Sequence, residues 1–375
     1  MFAIVTGTRP EIIKMFPIMK QMDRHNIDYK YIHTGQHFDV SLSTQFLDEF
    51  SISHPDYKID LFDSKINPTL QIPEMMIKLD KLFREESFDG VIVQGDTNSV
   101  LAASLVSTQH NIPIYHVESG LRCFDYNMQE ERNRLLVDHM SDVLFASTAI
   151  SKKNLENENV KGNIYVVGNT VMDAINIISN NEISALNKEK STEEIVSEEY
   201  VAVTLHRYEN LSNREFLYNF FSGLHESNLN YVFPIHPHTL KQMKKFKLDY
   251  FLRDRIKIIP PLGYSKFLNL LKKSKFVITD SGGIQEEITS HLVNKCAIVV
   301  RPNTERPESI ESGHSRLLSD FSKNKLENEI YKLNNDLKDG IDFRGSPYGV
   351  GNSAQKIVNV LLEHYQPVSK ILNQG

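Results

Sequence analysis

Short apolar runs alternate with helix-period stretches along the chain, and each apolar run is followed by polar, glycine or histidine residues. In the first half the runs predict strands at Phe2–Thr6, Tyr29–His33, Gly90–Val93, Ile114–Val117, Val143–Ala146 and Ile164–Val167. In the second half they predict strands at Tyr200–Thr204, Asn230–Pro234, Arg255–Ile259, Lys275–Thr279 and Cys296–Val300. Fully apolar strands that alternate with helices are typical of parallel sheets covered on both faces. The pattern therefore predicts an α/β fold with two doubly wound domains.

The pattern weakens between the two halves. Residues 175–199 are polar, charged and poor in apolar periodicity, which predicts an interdomain connection with a surface helix. We therefore expect a first domain over residues 1–175 and a second over residues 176–352. Ser353–His364 is amphipathic and predicts a C-terminal helix, within about 353–375, that crosses the domain boundary.

The stretch Ile114–Ser147 carries the densest chemistry, because charged residues collect where its first strand meets the following helix. These residues are Glu118, Glu130, Glu131, Arg122 and Arg134. Ligands of parallel α/β sheets bind outside the carboxyl ends of the strands, so we expect chemistry at this edge. The alternative is that the paired acids are first-turn residues that complement the helix dipole.

Polar residues also follow two other strands of the first domain. Arg9 and Lys14 lie near a helix N-terminus, where backbone N–H groups favour an anion; a solvated surface pair is the alternative. Asp96 follows a glycine at the end of another strand, a position suited to an active-site carboxylate. The alternative there is that Asp96 or Thr97 only caps the next helix.

The second domain offers a glycine turn and several histidines. Two glycines in SGGIQEE would let backbone N–H groups approach a diphosphate, and Glu287 could accept hydrogen bonds from sugar hydroxyls. His206 is a candidate acid, base or phosphate contact. His236 and His238 have no third ligand at metal-site spacing, so we expect no metal.

Composition narrows the class of protein. The 375 residues suffice for two domains, and 40% hydrophobic with 24% charged residues is typical of globular proteins. No apolar run reaches the roughly 18 residues that span a bilayer, and the first strand follows no leader pattern. The net charge of -6, without a basic block, argues against a nucleic-acid partner. Cys123 and Cys296 form no disulfide or metal pattern, which predicts a reducing, cytoplasmic location. Because no apolar run is long enough to span a bilayer, we also expect no membrane partner.

A set of short motifs carries a resemblance to a known family: GTRPEIIK, TGQH, QGDTNS, HVESGLR, EERNR, VGNTVMDA, LHRYEN, IHPH, DSGGIQEE and TERPE. In this order, from Gly7 to Gly351, the set resembles the non-hydrolysing UDP-N-acetylglucosamine 2-epimerases. The resemblance implies a glycosyltransferase-B-like fold, with two Rossmann-like domains facing across a cleft and the C-terminal helix packing back on the first. It also implies a homodimer that interconverts UDP-GlcNAc and UDP-ManNAc for bacterial surface polysaccharide, without a cofactor.

The resemblance also implies roles for individual residues. Asp96, Glu118 and Glu130 resemble the catalytic carboxylates, and His206 an acid, base or phosphate partner. The implied reaction eliminates UDP to give 2-acetamidoglucal and adds it back, which needs proton-handling groups and cations for the diphosphate. The implied substrate-binding residues are Arg9, Lys14, Arg122, Phe267, Ser281, Gly282, Gly283, Glu287 and Arg306. We also hypothesise that crowding of the acids raises the pKa of one carboxylate.

Bacterial members of that family often have a second, regulatory UDP-GlcNAc site, and two of its positions differ here. Asp39 and Tyr208 stand where those members have a glutamine and an arginine. The candidate residues that remain are Gln36, His37, Arg207 and His236.

Four other functions stay open on sequence alone. Two are a 2-epimerase of another UDP-HexNAc and a hydrolysing epimerase that releases ManNAc and UDP. The others are a glycosyltransferase of the same architecture and a non-catalytic nucleotide-sugar sensor, both of which the retained acids disfavour.

Overall fold

The computed structural model describes residues 1–35, 52–61, 68–185, 199–341 and 343–364. The chain divides into two compact units: unit 1 comprises Met1–Ile177 and Tyr348–Gly375, and unit 2 comprises Ile178–Pro347. No helix within the described ranges combines the length and the apolar character that crossing a lipid bilayer requires.

Unit 1 is built on a parallel sheet. Its strands are β1 (Phe2–Thr6), β2 (Tyr29–His33), β3 (Tyr57–Lys58), β4 (Gly90–Gln94), β5 (Ile114–Ser119), β6 (Val143–Ala146) and β7 (Asn163–Val166). The spatial order is β3-β2-β1-β4-β5-β6-β7, so the direction of winding reverses between β1 and β4. The helices that begin within residues 1–177 are α1 (Arg9–Arg24), α2 (Pro68–Glu85), α3 (Asn98–Gln109), α4 (Gln129–Met140), α5 (Ala149–Asn157) and α6 (Thr170–Ala185). This is the Rossmann strand order with one further strand.

Unit 2 repeats the same logic with six strands. They are β8 (Val201–Thr204), β9 (Tyr231–Pro234), β10 (Ile256–Ile259), β11 (Val277–Thr279), β12 (Ala297–Val300) and β13 (Ser315–Leu318), in the order β10-β9-β8-β11-β12-β13. The helices are α7 (Tyr208–Ser212), α8 (Arg214–Glu226), α9 (Pro237–Lys245), α10 (Tyr264–Lys273), α11 (Gly282–Glu287), α12 (Pro307–Glu311) and α13 (Lys323–Asp339), with a 3₁₀ turn at Asp249–Phe251. Winding reverses between β8 and β11.

The central strands are buried along their whole length. Every residue of β1, β4, β6 and β12 is buried, which explains why these strands read as continuous apolar runs. Polar chemistry is thereby confined to the strand ends, where the chain turns toward a helix. The carboxyl ends of β1, β4 and β5 in unit 1, and of β8, β11 and β12 in unit 2, are therefore the places to look for a site.

The predicted strands are present, with ends shifted by two residues or fewer. Two edge strands are not predicted by the pattern, β3 and β13. The first has two residues, and the second, SRLL, contains a charged residue that a buried strand would not tolerate. Residues 175–185, the first part of the predicted connection with its surface helix, form the end of α6.

The last described helix, α14 (Ser353–His364), belongs to unit 1 and packs against α1. Asp173 on α6 fixes its start, because the carboxylate accepts hydrogen bonds from the N–H groups of Ser353 (3.0 Å) and Ala354 (3.1 Å). The C-terminal segment is thereby held by two helices of the unit in which the chain begins.

Candidate active site

Asp96 lies in the turn after β4, where Gly95 has a left-handed φ of +79°. The Asp96 side chain is 26% exposed, and its Oδ2 accepts a 3.0 Å hydrogen bond from Arg134 Nε on α4. The capping role at α3 belongs to Thr97, whose Oγ1 accepts from the N–H of Val100. The Asp96 carboxylate is therefore paired with a cation and still accessible to a ligand.

Glu118 lies at the end of β5, where the pairing with β6 shifts register and the backbone φ is +66°. Three donors converge on its Oε2: Lys14 Nζ in an ion pair, Gln94 Nε2 at 3.0 Å and Asn169 Nδ2 at 3.2 Å. Lys14, which the resemblance implies as a phosphate contact, thus binds a residue implied as a catalytic acid. The Glu118 carboxylate is therefore held by donors from α1, from β4 and from the turn before α6.

The two acids at the start of α4 have different surroundings. Glu131 is buried and accepts hydrogen bonds from the N–H groups of Cys123 (3.1 Å) and Phe124 (2.8 Å) and from Arg134 Nη1 (2.8 Å). Glu130 is exposed in the first helical turn. A role in the helix dipole does not account for Glu131, which ties the preceding loop to α4, whereas Glu130 is accessible to a substrate.

One carboxyl near this edge, that of Glu11 on α1, has a strongly raised pKa. Burial raises the pKa of Glu11 on α1 to about 7, against the opposing effect of hydrogen bonds from Thr8, Gly7 and Thr97. The Gly7 N–H lies 3.0 Å and Thr97 Oγ1 2.9 Å from its oxygens. The cause is therefore burial rather than the crowding of acids.

Arg9, the other implied phosphate contact, is the partly buried first residue of α1.

The resemblance implies a substrate contact for Arg122, but its side chain has no exposed surface. Its Nε donates to Glu158 at 2.8 Å, and its Nη2 lies 2.7 Å from Asp138 Oδ2. Asp138 also lies 2.8 Å from His116 Nδ1, and the other ring nitrogen lies 2.8 Å from the Gly95 carbonyl oxygen. Burial acts to raise the pKa of Asp138, but His116 and Arg122 hold it below its ordinary value. The structure supports an internal, structural role for Arg122.

In unit 2, His206 follows β8 with a side chain that is 55% exposed, and its Nδ1 lies 3.2 Å from Asp280 Oδ1. Asp280 is fully buried at the end of β11. It also accepts hydrogen bonds from the N–H groups of His206 (3.1 Å) and Arg207 (2.9 Å) and from Asn210 Nδ2 (3.1 Å). Since β8 and β11 flank the switch in strand order, this is the expected ligand position of the second sheet.

The glycine turn after β11 leads through Ser281 into α11. A Cβ on Gly282 would lie 2.6 Å from Arg306 Nη1 and 2.7 Å from Glu305 Oε1, whereas one on Gly283 would meet only Ser281 Oγ, at 3.9 Å. Gly282 is therefore required by packing within the protein. Gly283 leaves space above the backbone, where an anion could approach N–H groups.

The other implied UDP ligands of unit 2 are mostly buried. Glu287 accepts a 2.9 Å hydrogen bond from the Tyr264 hydroxyl, and Phe267 lies partly buried on α10. Arg306 Nε donates to Glu286 at 2.7 Å, within a cluster of buried charges. The guanidinium of Arg306 therefore supports the glycine turn from inside the protein.

The candidate regulatory residues divide into two pairs. Gln36 and His37 lie outside the described residues. Arg207 Nε donates to the Asp280 carbonyl oxygen at 3.1 Å, and His236 Nδ1 accepts the His238 N–H at the start of α9. Both described side chains thus have local structural partners. No group of three potential metal ligands occurs in the described part of the chain.

The sequence model of the family described as UDP-N-acetylglucosamine 2-epimerase matches residues 20–362. The chain belongs to the UDP-N-acetylglucosamine 2-epimerase family. The UDP-N-acetylglucosamine 2-epimerase of Methanocaldococcus jannaschii is 40% identical over 369 residues, which cover 96% of this chain and 98% of that protein. The crystal structure of that organism's UDP-GlcNAc 2-epimerase in complex with UDP-GlcNAc and UDP has a TM-score of 0.87 at 39% identity, and covers 96% of this chain and 99% of the other.

The matches to the epimerase family confirm the resemblance and the predicted fold class. MurG of Acinetobacter baumannii, at 11% identity and a TM-score of 0.55, shares the fold over 96% of this chain and 98% of its own. The two parallel sheets with Rossmann strand order agree with a glycosyltransferase-B-like architecture.

Three buried polar residues of this chain contact residues that the resemblance implies to be catalytic, although the sequence patterns assign these three no role. They are Gln94 and Asn169, which donate to Glu118, and Asp280, which binds His206. Each stands in one of the motifs that carry the resemblance. Gln94 ends β4 and Asp280 directly follows β11, whereas Asn169 follows β7 by three residues. For Gln94 and Asp280 the available signal was a polar residue at the end of a buried strand, but the contacts of all three residues depend on tertiary structure.

Proposed function

We propose that this protein is a non-hydrolysing UDP-N-acetylglucosamine 2-epimerase, which interconverts UDP-GlcNAc and UDP-ManNAc without a cofactor. The observation that carries the proposal is the pairing of Glu118 with Lys14 at the carboxyl edge of unit 1. A carboxylate beside a cation supplies both a proton acceptor and a charge for a departing diphosphate. Membership of the epimerase family supports the choice of substrate.

The chemistry explains why several acids are needed. The proton on C2 of the sugar is weakly acidic, because no carbonyl lies beside it. When the bond from C1 to the UDP oxygen breaks, its electron pair leaves with UDP, and the developing oxocarbenium acidifies C2–H. Loss of that proton to a carboxylate gives 2-acetamidoglucal. Addition of UDP to C1, with a proton delivered to the opposite face of C2, gives the epimer.

The proposed roles follow this division of labour. Asp96, Glu118 and Glu130 handle the C2 proton, and His206 acts on the diphosphate or transfers a proton. The proposed contacts for UDP are Arg9, Lys14, Ser281, Gly282, Gly283 and Glu287, with Phe267 against the uracil. Arg306 supports the glycine turn. The product is then available to a glycosyl transfer that builds surface polysaccharide.

The proposal is tested by NMR of the protein with UDP-GlcNAc in deuterated water. We expect UDP-ManNAc with deuterium at C2, together with traces of UDP and 2-acetamidoglucal. Release of free ManNAc would instead indicate the hydrolysing reaction, and UDP binding without any turnover would indicate another UDP-HexNAc. Glu130→Gln should abolish the exchange, whereas Glu215→Gln, at an exposed first-turn acid of α8, should not.

We also propose that the protein is a homodimer. Apolar side chains are exposed on helices that pack side by side in unit 1, where α2 contacts α3 and α3 contacts α4. Ile77 on α2 is 72% exposed, and Leu70 and Leu136 are also exposed. Light scattering should give twice the chain mass for the protein and for Tyr331→Asp, a control in unit 2, and a monomer mass for Ile77→Asp. A monomeric unmodified protein would contradict the proposal.

The state of the cysteines supports a cytoplasmic location. Cys123 and Cys296 are both free thiols, as expected in a reducing compartment. Burial raises the pKa of each to about 11, so neither is suited to act as a nucleophile.

A further inference from the structure

The backbone of Glu118 is held in a conformation that its residue type disfavours. Its φ of +66° is left-handed, and it lies at the point where β5 and β6 change register. A residue with a Cβ adopts this conformation only where surrounding contacts impose it. The contacts that hold Glu118 therefore bear directly on where its carboxylate points.

Two neutral amides contribute to that hold beside the charge of Lys14. Gln94 Nε2 and Asn169 Nδ2 donate to the same oxygen, Oε2, at 3.0 Å and 3.2 Å. Both amide side chains are buried, and they come from different elements, the end of β4 and the turn before α6. The Glu118 carboxylate thus accepts hydrogen bonds from two uncharged donors that belong to different elements.

The orientation of the Asn169 amide is fixed by its other contacts. Its Oδ1 accepts a 3.0 Å hydrogen bond from the Val171 N–H at the start of α6, so its NH₂ group must face Glu118. Its backbone N–H donates to the Tyr348 carbonyl oxygen at 2.8 Å. The residue therefore caps a helix with one end of its amide and holds Glu118 with the other.

We propose that Gln94 and Asn169 are positioning residues that hold Glu118 in place while Lys14 engages the diphosphate. The inference rests on the proposed function, in which Lys14 must serve the departing UDP and Glu118 must stay aimed at the sugar. With Lys14 as the main hold, each turnover would release the carboxylate at the moment it is needed. The neutral donors remove that conflict, because they have no attraction for phosphate comparable with that of an ammonium group.

Kinetics of matched variants test the proposal. Asn169→Ser keeps a good helix cap but loses the donor to Glu118, and Gln94→Leu removes the other donor. We expect each to lower kcat about 10²-fold, the scale of a misplaced catalytic group, with KM and UDP affinity within about twofold of the unmodified protein. Asn213→Ser, at the cap of α8, is the control and should leave kcat unchanged. A kcat within about threefold for both site variants, or a loss that only follows a fall in Tm, overturns the proposal.

An NMR measurement separates this inference from the proposed function, because it needs no turnover. In protein labelled with ¹⁵N-asparagine, the Asn169 side-chain signals are those missing from Asn169→Ser. They should shift in Glu118→Gln, stay unchanged in Asp96→Asn, and stay near their original position in Lys14→Met. Movement in Lys14→Met to the Glu118→Gln position would show that Lys14 alone holds the carboxylate, and would overturn the inference. An inactive protein with the expected spectra would contradict only the epimerase assignment.

Discussion

Asp280 Oδ1 lies 3.2 Å from His206 Nδ1, and the same carboxylate accepts the backbone N–H of the histidine. The residue after Asp280 is Ser281, which opens the glycine turn. One fully buried carboxylate thus orients the imidazole and ties the residues after β8 to the residue that precedes the proposed phosphate loop. A ligand at that loop and the His206 ring therefore share a single rigid support.

Asp280→Asn should lower kcat about tenfold or more, because an amide cannot accept all the hydrogen bonds that a carboxylate accepts and no longer orients the imidazole by charge. UDP affinity should also fall, since the turn at Ser281 loses its anchor. Steady-state kinetics and calorimetry with UDP measure both effects. Asp142→Asn is the control, because Asp142 also accepts a backbone N–H, that of Ile114, away from the turn. Unchanged UDP affinity in Asp280→Asn would contradict the shared support.

Gly283→Ala should fold normally and lose UDP affinity about tenfold or more. The added methyl group meets only Ser281 Oγ at 3.9 Å within the described protein, so its cost arises when a phosphate approaches. Gly282→Ala should instead destabilise the protein, because its methyl group would overlap Arg306 and Glu305. Thermal unfolding and UDP calorimetry of the two variants distinguish packing from ligand contact. Wild-type UDP affinity in Gly283→Ala would remove the glycine turn from the site.

Glu11→Gln should change how stability depends on pH. Burial raises the pKa of Glu11 to about 7 in the folded protein from 4.5, so the folded state holds this proton more tightly than the unfolded state does. The resulting stabilisation is complete below the unfolded pKa and is lost as pH rises through about 7, by up to roughly 3 kcal/mol. Glutamine fits the same site, since its oxygen can accept the Gly7 N–H and its NH₂ can donate to Thr97 Oγ1.

The difference in Tm between Glu11→Gln and the unmodified protein, measured at pH 5 and pH 8.5, tests this sign. The variant should gain relative stability at the higher pH, and subtraction removes the titration of other groups common to both proteins. A difference that stays constant over this range would mean that Glu11 is ionised throughout.

Asp173→Ala should destabilise unit 1 by about 1 kcal/mol, the usual effect of losing a helix cap. The carboxylate accepts two N–H groups at the start of α14, from Ser353 and Ala354. Asp173→Asn keeps one acceptor oxygen and should lose about half as much. Urea unfolding of the two variants gives the comparison, and equal stability of Asp173→Ala and the unmodified protein would show that packing on α1 alone holds α14.

Apolar periodicity predicted the fold well because the central strands are buried on both faces, so their sequences carry the signal themselves. The apolar pattern did not predict the two-residue β3 or the charged β13, because pairing with a neighbouring strand, rather than their own composition, stabilises them. Arg122 shows the limit for the site: its partners, Asp138 and Glu158, are distant in sequence, and only the fold shows that they enclose it. Asp280 and Asn169 were not predicted for the same reason, since the role of a buried polar side chain depends on the residues that the fold places next to it.

The return of α14 to α1 has a consequence for how the protein is made. Unit 1 takes its residues from both sides of unit 2 in the sequence, whereas unit 2 is continuous. During translation the sheet of unit 1 emerges first, but the helix that covers α1 emerges only after all of unit 2 has been synthesised. All residues of unit 2 have therefore been synthesised before unit 1 is complete. Until α14 has been synthesised, the face of α1 that α14 covers stays exposed to solvent.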